Sequence, residues 1–346
     1  MQADALRGFV ARVLGAAGLP ADDAAVVAQR MVEADLMGAD AHGVFRLPQY
    51  VRRIEAGGIN VRPDIRVLRE TAAMALIDGD DAMGHLVMTR AAELAIAKAR
   101  AHGIGWVGAR RSNHAGPAAL YPLLAAREGL AGVYLAVGSA NHMAPWGGID
   151  LLLSTNPIAI AVPARDAPPV VLDMATTVAA YGKVKLAAQR GEALPEGWMI
   201  DREGAPLTDP ARAAEGLLLP IGGHKGYGLS LMIGLLAGTL NGAALGADVV
   251  DFNRDDATPT NTGQAILALD PAAFGDPGTI AAQVAQVAGQ MRAARRLPGV
   301  DRIRVPGEAS ARRCAERAAH GIPLPVATAG PLAGLAARLG LEWPPV

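Results

Sequence analysis

The pattern of apolar and polar positions changes near residue 70. Before it, apolar residues recur at helical spacing. Residues 3–14 form an amphipathic helix that Gly18 and Pro20 stop, and Asp22 or Asp23 is placed to cap a second helix reaching about residue 36. A third helical stretch covers 40–58 and is expected to break or bend near Pro48, with Gly57, Gly58 and Pro63 closing the segment. Beyond residue 70, short strand-like runs predominate, at 73–77, 106–109, 133–137, 158–162, 170–173, 265–269 and 303–305. One helix separates the first two, with Val87, Met88, Ala91, Leu94 and Ala95 on one face. Several later runs follow one another without a helix between them, which favours a mixed or antiparallel sheet over a doubly wound parallel one. From Glu308 the tail is helical, rich in Arg and Ala, and expected to pack back on the body. The expectation is an α/β (α+β) chain in three parts: a helical lobe over 1–70, a sheet-bearing body over 71–300, and a returning tail over 301–346.

Composition narrows the function classes. A chain of 346 residues with 51% hydrophobic residues can bury a large core. Lys plus Arg (32) nearly balances Asp plus Glu (33), leaving a formal charge of −1 and no field suited to nucleic acid or an anionic membrane. The single cysteine, Cys314, forms no internal disulfide and points to a reducing, cytoplasmic setting. No Asp, Glu, Lys or Arg falls between Lys225 and Asp248, yet Ser230, Thr239, Asn241 and repeated glycines interrupt that run, and no membrane span is expected.

The segment LPIGGHKGYGLSLMIGLLA, residues 219–237, is a glycine-rich turn entering a helix. Free backbone N–H groups at such a helix start, with Lys225 beside them, suit a phosphate or carboxylate; a core helix whose glycines permit close packing is the alternative. Gly103-Ile-Gly105-Trp-Val-Gly108 spells a dinucleotide-binding fingerprint but follows a helix and opens a strand, the reverse of the required order. Gly103 is more simply a helix stop.

His42, Arg46 and Tyr50 are four residues apart, so a continuous helix would place a proton donor, a carboxylate clamp and a phenol on one face. Pro48 can disturb the third member, and a solvated helix face is the alternative reading. His114 and His142 lie in polar loops after strands, where ligands often sit; His85, His102 and His320 read as surface or helix-end residues. Polar loops also occur at Ser154-Thr-Asn-Pro157 and Asp173-Met-Ala-Thr-Thr177, and the turn Val305-Pro-Gly-Glu308 offers a carboxylate to a hydroxyl. There is no zinc-helix histidine pair, C-x-x-C, G-x-S-x-G or phosphate-loop signature, so no metal site is expected.

In order, HGVFRLPQYVRRIEAGGIN, RRSNHAG, APWGG, TNPIAIAVP, LDMATT, PEGWMID, GGHKGYGLSLM and the PGE turn resemble the type-2 malate/L-lactate dehydrogenase family, over nearly the whole chain from about Val32 to Glu308. That family includes ureidoglycolate, sulfolactate and diketogulonate enzymes and the piperideine- and pyrroline-carboxylate reductases. The resemblance implies a non-Rossmann, mostly antiparallel cofactor domain over 71–300, a helical lobe carrying substrate residues, NAD or NADP as cofactor, a small carboxylate substrate, and a homodimer. It places His42 and His114 as catalytic candidates and Arg46 and Tyr50 against substrate. Ser139, Thr155, Asp173, Met174, Ala175, Thr176, Lys225, Gly226, Gly307 and Glu308 match cofactor-contacting segments. Three positions depart from the family pattern: Ala41 where Ser is common, Ser154 where Gly is frequent, and Gln264 where many members have His. The leading expectation is hydride transfer to or from a 2-oxo or 2-hydroxy acid, with cyclic imino acids as the alternative substrate; a non-catalytic anion-binding protein using only the Lys225 turn is the alternative of another class.

Overall fold

A computed structural model of the chain describes residues 1–344. Its helices are α1 (Ala3–Ala16), α2 (Ala21–Leu36), α3 (Leu47–Glu55), α4 (Gly84–His102), α5 (Leu120–Arg127), α6 (Tyr181–Arg190), α7 (His224–Ala237), α8 (Pro277–Ala293), α9 (Glu308–His320) and α10 (Val326–Arg338). Its strands are β1 (Arg66–Glu70), β2 (Met74–Asp78), β3 (Ile104–Ser112), β4 (Ala131–Ala136), β5 (Ile158–Ala164), β6 (Ala167–Met174), β7 (Met199–Ile200), β8 (Leu217–Leu218) and β9 (Thr262–Leu269).

Seven strands form one mixed sheet in the order β1-β2-β3-β9-β4-β5-β6, and β7 and β8 pair separately. Only β2 and β3 run parallel, joined across α4; every other neighbour in the large sheet is antiparallel. The late strand β9 sits in the centre between β3 and β4. Gly103 terminates α4 in the left-handed conformation (φ 81°), and β3 begins at the next residue. A dinucleotide fingerprint would need the opposite order.

The alternation of β4 divides its side chains between two faces. Tyr134 and Ala136 join α4 and α5 in one core, whereas Leu135 and Val137 pack on Ile233 and Ala237 of α7. A separate core unites α1, α2 and α3 with Ile322, Leu332, Leu335 and Ala336 of the tail.

Several local expectations are corrected. The strand expected at 303–305 is not one; the segment has no regular secondary structure, and beside it the Pro306 carbonyl accepts the Val171 N–H at 3.1 Å. Strand β1 was not anticipated, because all five of its residues are exposed and carry no buried-face alternation. Helix α2 starts directly after Pro20, with no side-chain cap; Asp22 and Asp23 instead lie in its first turn, where their negative charge complements the positive end of the helix dipole.

The stretch 40–58 is two short 3-10 turns, at 40–42 and 44–46, followed by α3. Pro48 lies in the first turn of α3 and starts it rather than bending it. The break arises at Gly43: a Cβ there would lie 2.1 Å from Asp35 Oδ1, and the Asp35 carboxylate accepts the Val44 N–H at 2.9 Å. His42, Arg46 and Tyr50 therefore do not share one continuous helix. Among the described residues, no helix is long and apolar enough to cross a membrane.

Candidate active site

The end of β3 and the helical segment 40–55 meet over a cleft of about 650 Å³. Arg111 adopts φ 45° as β3 leaves the sheet, and its guanidinium pairs with Asp78, Asp80 and Asp81. Asn113 is then pinned from both sides: its amide donates to the Asp81 and Ala82 carbonyls, and its own carbonyl accepts from Gln264 Nε2 at 3.1 Å. Gln264 also accepts the Ser112 hydroxyl at 2.8 Å. So one sequence departure from the family pattern lines the cleft and holds the loop that presents His114.

His114 is engaged at both ring nitrogens. Nδ1 lies 2.6 Å from the Tyr50 hydroxyl and accepts the Gly116 N–H at 3.3 Å; Nε2 lies 3.2 Å from His42 Nδ1. Burial drives the protonation states: His42 is pushed down to about 4 by desolvation and then by Arg46, and His114 well below its ordinary range by desolvation and then by His42. Both rings are thus neutral near pH 7. A backbone N–H directed at Nδ1 makes that atom an acceptor, so the His114 proton resides on Nε2 and is donated to His42 Nδ1. Tyr50, whose hydroxyl burial holds above its ordinary pKa, supplies the other donor. By this assignment the proton of His42 sits on Nε2. Of the four ring nitrogens, His42 Nε2 is the one without a partner among the described residues.

Arg46 stands beside this pair. Its Nε donates to the Ala41 carbonyl at 2.9 Å and its Nη1 to Gln49 Oε1 at 2.8 Å, and it lies over the Phe252 ring. No carboxylate pairs with it among the described residues, and desolvation lowers its pKa. Phe252 in turn stacks on His114 with 5.2 Å between ring centres. That loop is held by Arg53, 1% exposed, which donates to the carbonyls of Asp255 and Thr258.

The opposite wall contributes Ser139, Thr155, Asp173, Met174 and Ala175 to the cleft. Asp173 lies on β6, exposed to the cleft, and accepts the Ala119 N–H at 2.9 Å, which orders the chain just after His114. Below the wall, Asn156 is fully buried, accepts the Gly138 N–H at 3.1 Å and donates to the Ser230 carbonyl at 3.0 Å.

Not every sequence candidate reaches the cleft. Tyr50 lies behind His114, and Thr176 is buried beneath the wall, donating to the Thr155 carbonyl. Lys225 is exposed and Gly226 buried on the turn that follows Ile221, which does line the cleft. Gly307 packs on Val171, and Glu308 pairs with Arg292 and accepts the Val305 N–H. Conversely, sequence reasoning passed over Phe252, Asn253, Lys185 and Tyr181 as lining residues, whereas His142, singled out in its polar loop, does line the cleft, stacked on Tyr181. His85 is not a surface residue: it is fully buried against Tyr50, with no partner at either ring nitrogen, and burial pushes it down to about 3.

Residues 1–333 match the model of a family described as malate/L-lactate dehydrogenase. The chain belongs to that family. Malate dehydrogenase of Pyrococcus horikoshii is 40% identical over 347 residues, covering 98% of this chain and 95% of its own length. L-sulfolactate dehydrogenase of Methanothermobacter thermautotrophicus is 39% identical, covering 96% of this chain and 95% of its own. Among solved structures, sulfolactate dehydrogenase from Methanocaldococcus jannaschii superposes with a TM-score of 0.92 at 35% identity, covering 99% of this chain and 98% of that one. The malate/L-lactate dehydrogenase family thus supplies both the mixed fold and the oxidoreductase class. Its matching members include dehydrogenases named for NAD(+) and for NADP(+), and one solved neighbour is a Δ1-piperideine-2-carboxylate reductase.

Proposed function

We propose that the chain transfers a hydride between NAD or NADP and C2 of a small 2-oxo or 2-hydroxy acid, with His42 as acid/base and Arg46 holding the carboxylate. The observation that carries the proposal is the unpartnered His42 Nε2 beside an arginine without a carboxylate partner. A substrate carboxylate on Arg46 sets its neighbouring C2 oxygen against His42 and fixes the reacting distance. Its negative charge also favours the imidazolium, the acid required for reduction; oxidation uses the other tautomer, in which His42 donates Nδ1–H to His114 Nε2, the His114 proton moves to Nδ1 toward Tyr50, and His42 Nε2 is free to take the hydroxyl proton. The two imidazoles redistribute their shared proton as His42 gains or loses its second one, so the pair titrates as a unit. Tyr50 and His114 act through His42 in this scheme. The nicotinamide supplies the hydride when bound.

The cleft fits such a cofactor. Ala136, Val137 and Pro157 give apolar surface for a planar ring, whereas Ser139, Thr155 and Thr177 offer hydroxyls. A Cβ at Gly138 would lie 2.0 Å from Ser154 Oγ, so that wall is closed by small residues alone. Asp173, Met174 and Ala175 continue the surface, Thr176 supports it, and Lys225 with Gly226 stands at the Ile221 end as the cation for a distal phosphate. Gly307 and Glu308 serve this wall indirectly by bracing β6.

The same reading divides the chain into a helical lobe over 1–70 joined by the tail over 301–346, and a non-Rossmann cofactor domain over 71–300. It assigns the α7 face bearing Leu229, Met232 and Leu236, continued by Leu240 in the turn after the helix, all exposed, to a homodimer in the cytoplasm. The structural likeness to the imino-acid reductase keeps cyclic imino acids as the second substrate class, because a C=N beside a carboxylate presents the same two handles.

Nicotinamide absorbance tests the proposal, with NADH and NADPH each offered pyruvate, oxaloacetate, a bulkier 2-oxo acid and a cyclic imino acid. Turnover of a 2-oxo acid that collapses in His42→Ala is the expected result. Preference for the imine would replace the substrate class, and silence with every pair would overturn the proposal.

A further inference from the structure

The acid/base pair and Arg46 account for one carboxylate and one reacting oxygen. Another cation on the cleft wall is left without a task. Lys185 projects from α6 and lines the main cleft and, with Arg46 and Asn253, also a smaller adjoining cavity of about 270 Å³. No carboxylate pairs with it among the described residues. Its ammonium donates instead to Asn253 Oδ1 at 3.1 Å and lies over the Tyr181 ring.

Asn253 explains the arrangement. Its backbone N–H and its Nδ2 both donate to Asp251 Oδ1, at 2.9 and 3.0 Å, which turns Oδ1 toward the cations. The same Oδ1 is 3.5 Å from Arg46 Nη1. Two cations therefore converge on one neutral oxygen, closer together than two hydrogen bonds laid end to end. A neutral amide relieves little of their mutual repulsion, whereas a bridging dianion would relieve it well. Asp251 is already engaged by Asn253, and the Lys185 ammonium, though exposed to the cleft, has its pKa lowered by partial desolvation and by Arg46. The spacing suits a short chain with an anionic group at each end.

We infer that Lys185 is a specificity-determining residue that binds a second anionic group of the substrate, so that the preferred substrates are short 2-oxo or 2-hydroxy acids ending in a further carboxylate or sulfonate. This inference rests on the proposed hydride-transfer reading, because Arg46 must hold the first carboxylate. Arg46 anchors the carboxylate beside C2, and Lys185 meets the far end. Asn253 keeps the two cations apart when the site is open and yields one or both contacts when the dianion enters.

The test compares kcat/KM for oxaloacetate and its 3-sulfonate analogue with that for pyruvate, in the parent and in Lys185→Ala, Lys185→Arg and Lys185→Glu. The parent is expected to prefer both dianions. Lys185→Ala is expected to lower the dianion-to-pyruvate ratio at least tenfold, Lys185→Glu to lower it further, and Lys185→Arg to keep most of it. Melting curves establish that each variant is folded. An unchanged ratio in Lys185→Ala and Lys185→Glu overturns the inference and leaves hydride transfer standing. A rise confined to the cofactor KM also overturns it, and reassigns Lys185 to a dinucleotide phosphate. If the parent turns over no 2-oxo acid with either nicotinamide, the hydride-transfer reading fails and the inference falls with it.

Discussion

The cleft wall bearing His42 and His114 and the turn bearing Lys225 both combine histidine, a cation and glycine, but the chain uses them for different ends. At the wall, residues 72 positions apart converge until three of four ring nitrogens have partners, in surroundings that keep both rings neutral. At the turn, Gly222 and Gly223 take left-handed backbone (φ 59° and 65°), and Gly226 passes tightly against the Ile221 carbonyl, while His224 and Lys225 remain exposed. The glycines there close a backbone; the histidines at the wall are joined ring to ring by a hydrogen bond. Convergence of side chains from distant segments, rather than local richness in polar residues, distinguishes the two.

The largest test of that contrast removes the wall's imidazoles. His42→Ala is expected to cut turnover by about 10²–10⁴-fold, with His114→Ala less severe because the unpartnered nitrogen survives. A pH profile sharpens the point. With His42 pushed down to about 4, its neutral form persists well below the ordinary histidine range. The acid limb of kcat/KM for oxidation should then fall below pH 6.5, toward 4, rather than at the usual histidine value. A limb at or above 6.5 would contradict the desolvated, neutral pair.

At the turn, the largest expected effect is on folding. A Cβ at Gly226 would lie 2.0 Å from the Ile221 carbonyl oxygen, which is backbone and cannot swing aside. Gly226→Ala should cost about 1–3 kcal/mol, read as a melting temperature several degrees lower. An unchanged melting temperature would show that the turn is looser than the wall.

Tyr50→Phe probes the wall more gently. It deletes one donor to His114 Nδ1 while the Gly116 N–H remains. A loss of about 1.4 kcal/mol, roughly tenfold in kcat/KM, is expected. The lost hydrogen bond favoured the neutral ring, so the acid limb should also move upward in pH. A fall in rate with no movement of the limb would mean that Tyr50 only packs.

These contrasts also separate what the sequence made legible from what it hid. Helical spacing in α1, α2 and α4 and the strands around β3, β4, β5 and β9 were readable, because burial on one face imposes a period on the residues. The interruption at Gly43 was not: it depends on Asp35, eight positions earlier, occupying the space where a side chain would be. Strand β1 carries no buried face, so nothing marked it. In the site, His42, Arg46, Tyr50 and His114 were found from their chemistry and their resemblance to a family pattern. Phe252 and Asn253 were missed because a lone aromatic or amide has no local signature until the loop held by Arg53 brings it across the cleft, and Lys185 because nothing local shows that α6 borders the same cleft. His85 was misjudged for the converse reason: a residue in the first turn of a helix is commonly exposed, and tertiary packing buried this one.

The smallest effect should come from the residue that stands out most in the sequence. Lys225 is exposed and has no ion pair among the described residues, so whatever phosphate it meets is shared with water. Exposed charge interactions contribute on the order of 0–1 kcal/mol. Lys225→Ala should therefore raise the cofactor KM only about two- to fivefold, with little change in kcat, and the difference should shrink as ionic strength rises. A loss comparable to that in His42→Ala would reverse the comparison: the turn would then be a buried phosphate site in the working enzyme, covered by a second copy of the chain or by closure over the dinucleotide. A small, salt-sensitive KM effect would instead leave the histidine pair at the wall as the feature on which turnover depends.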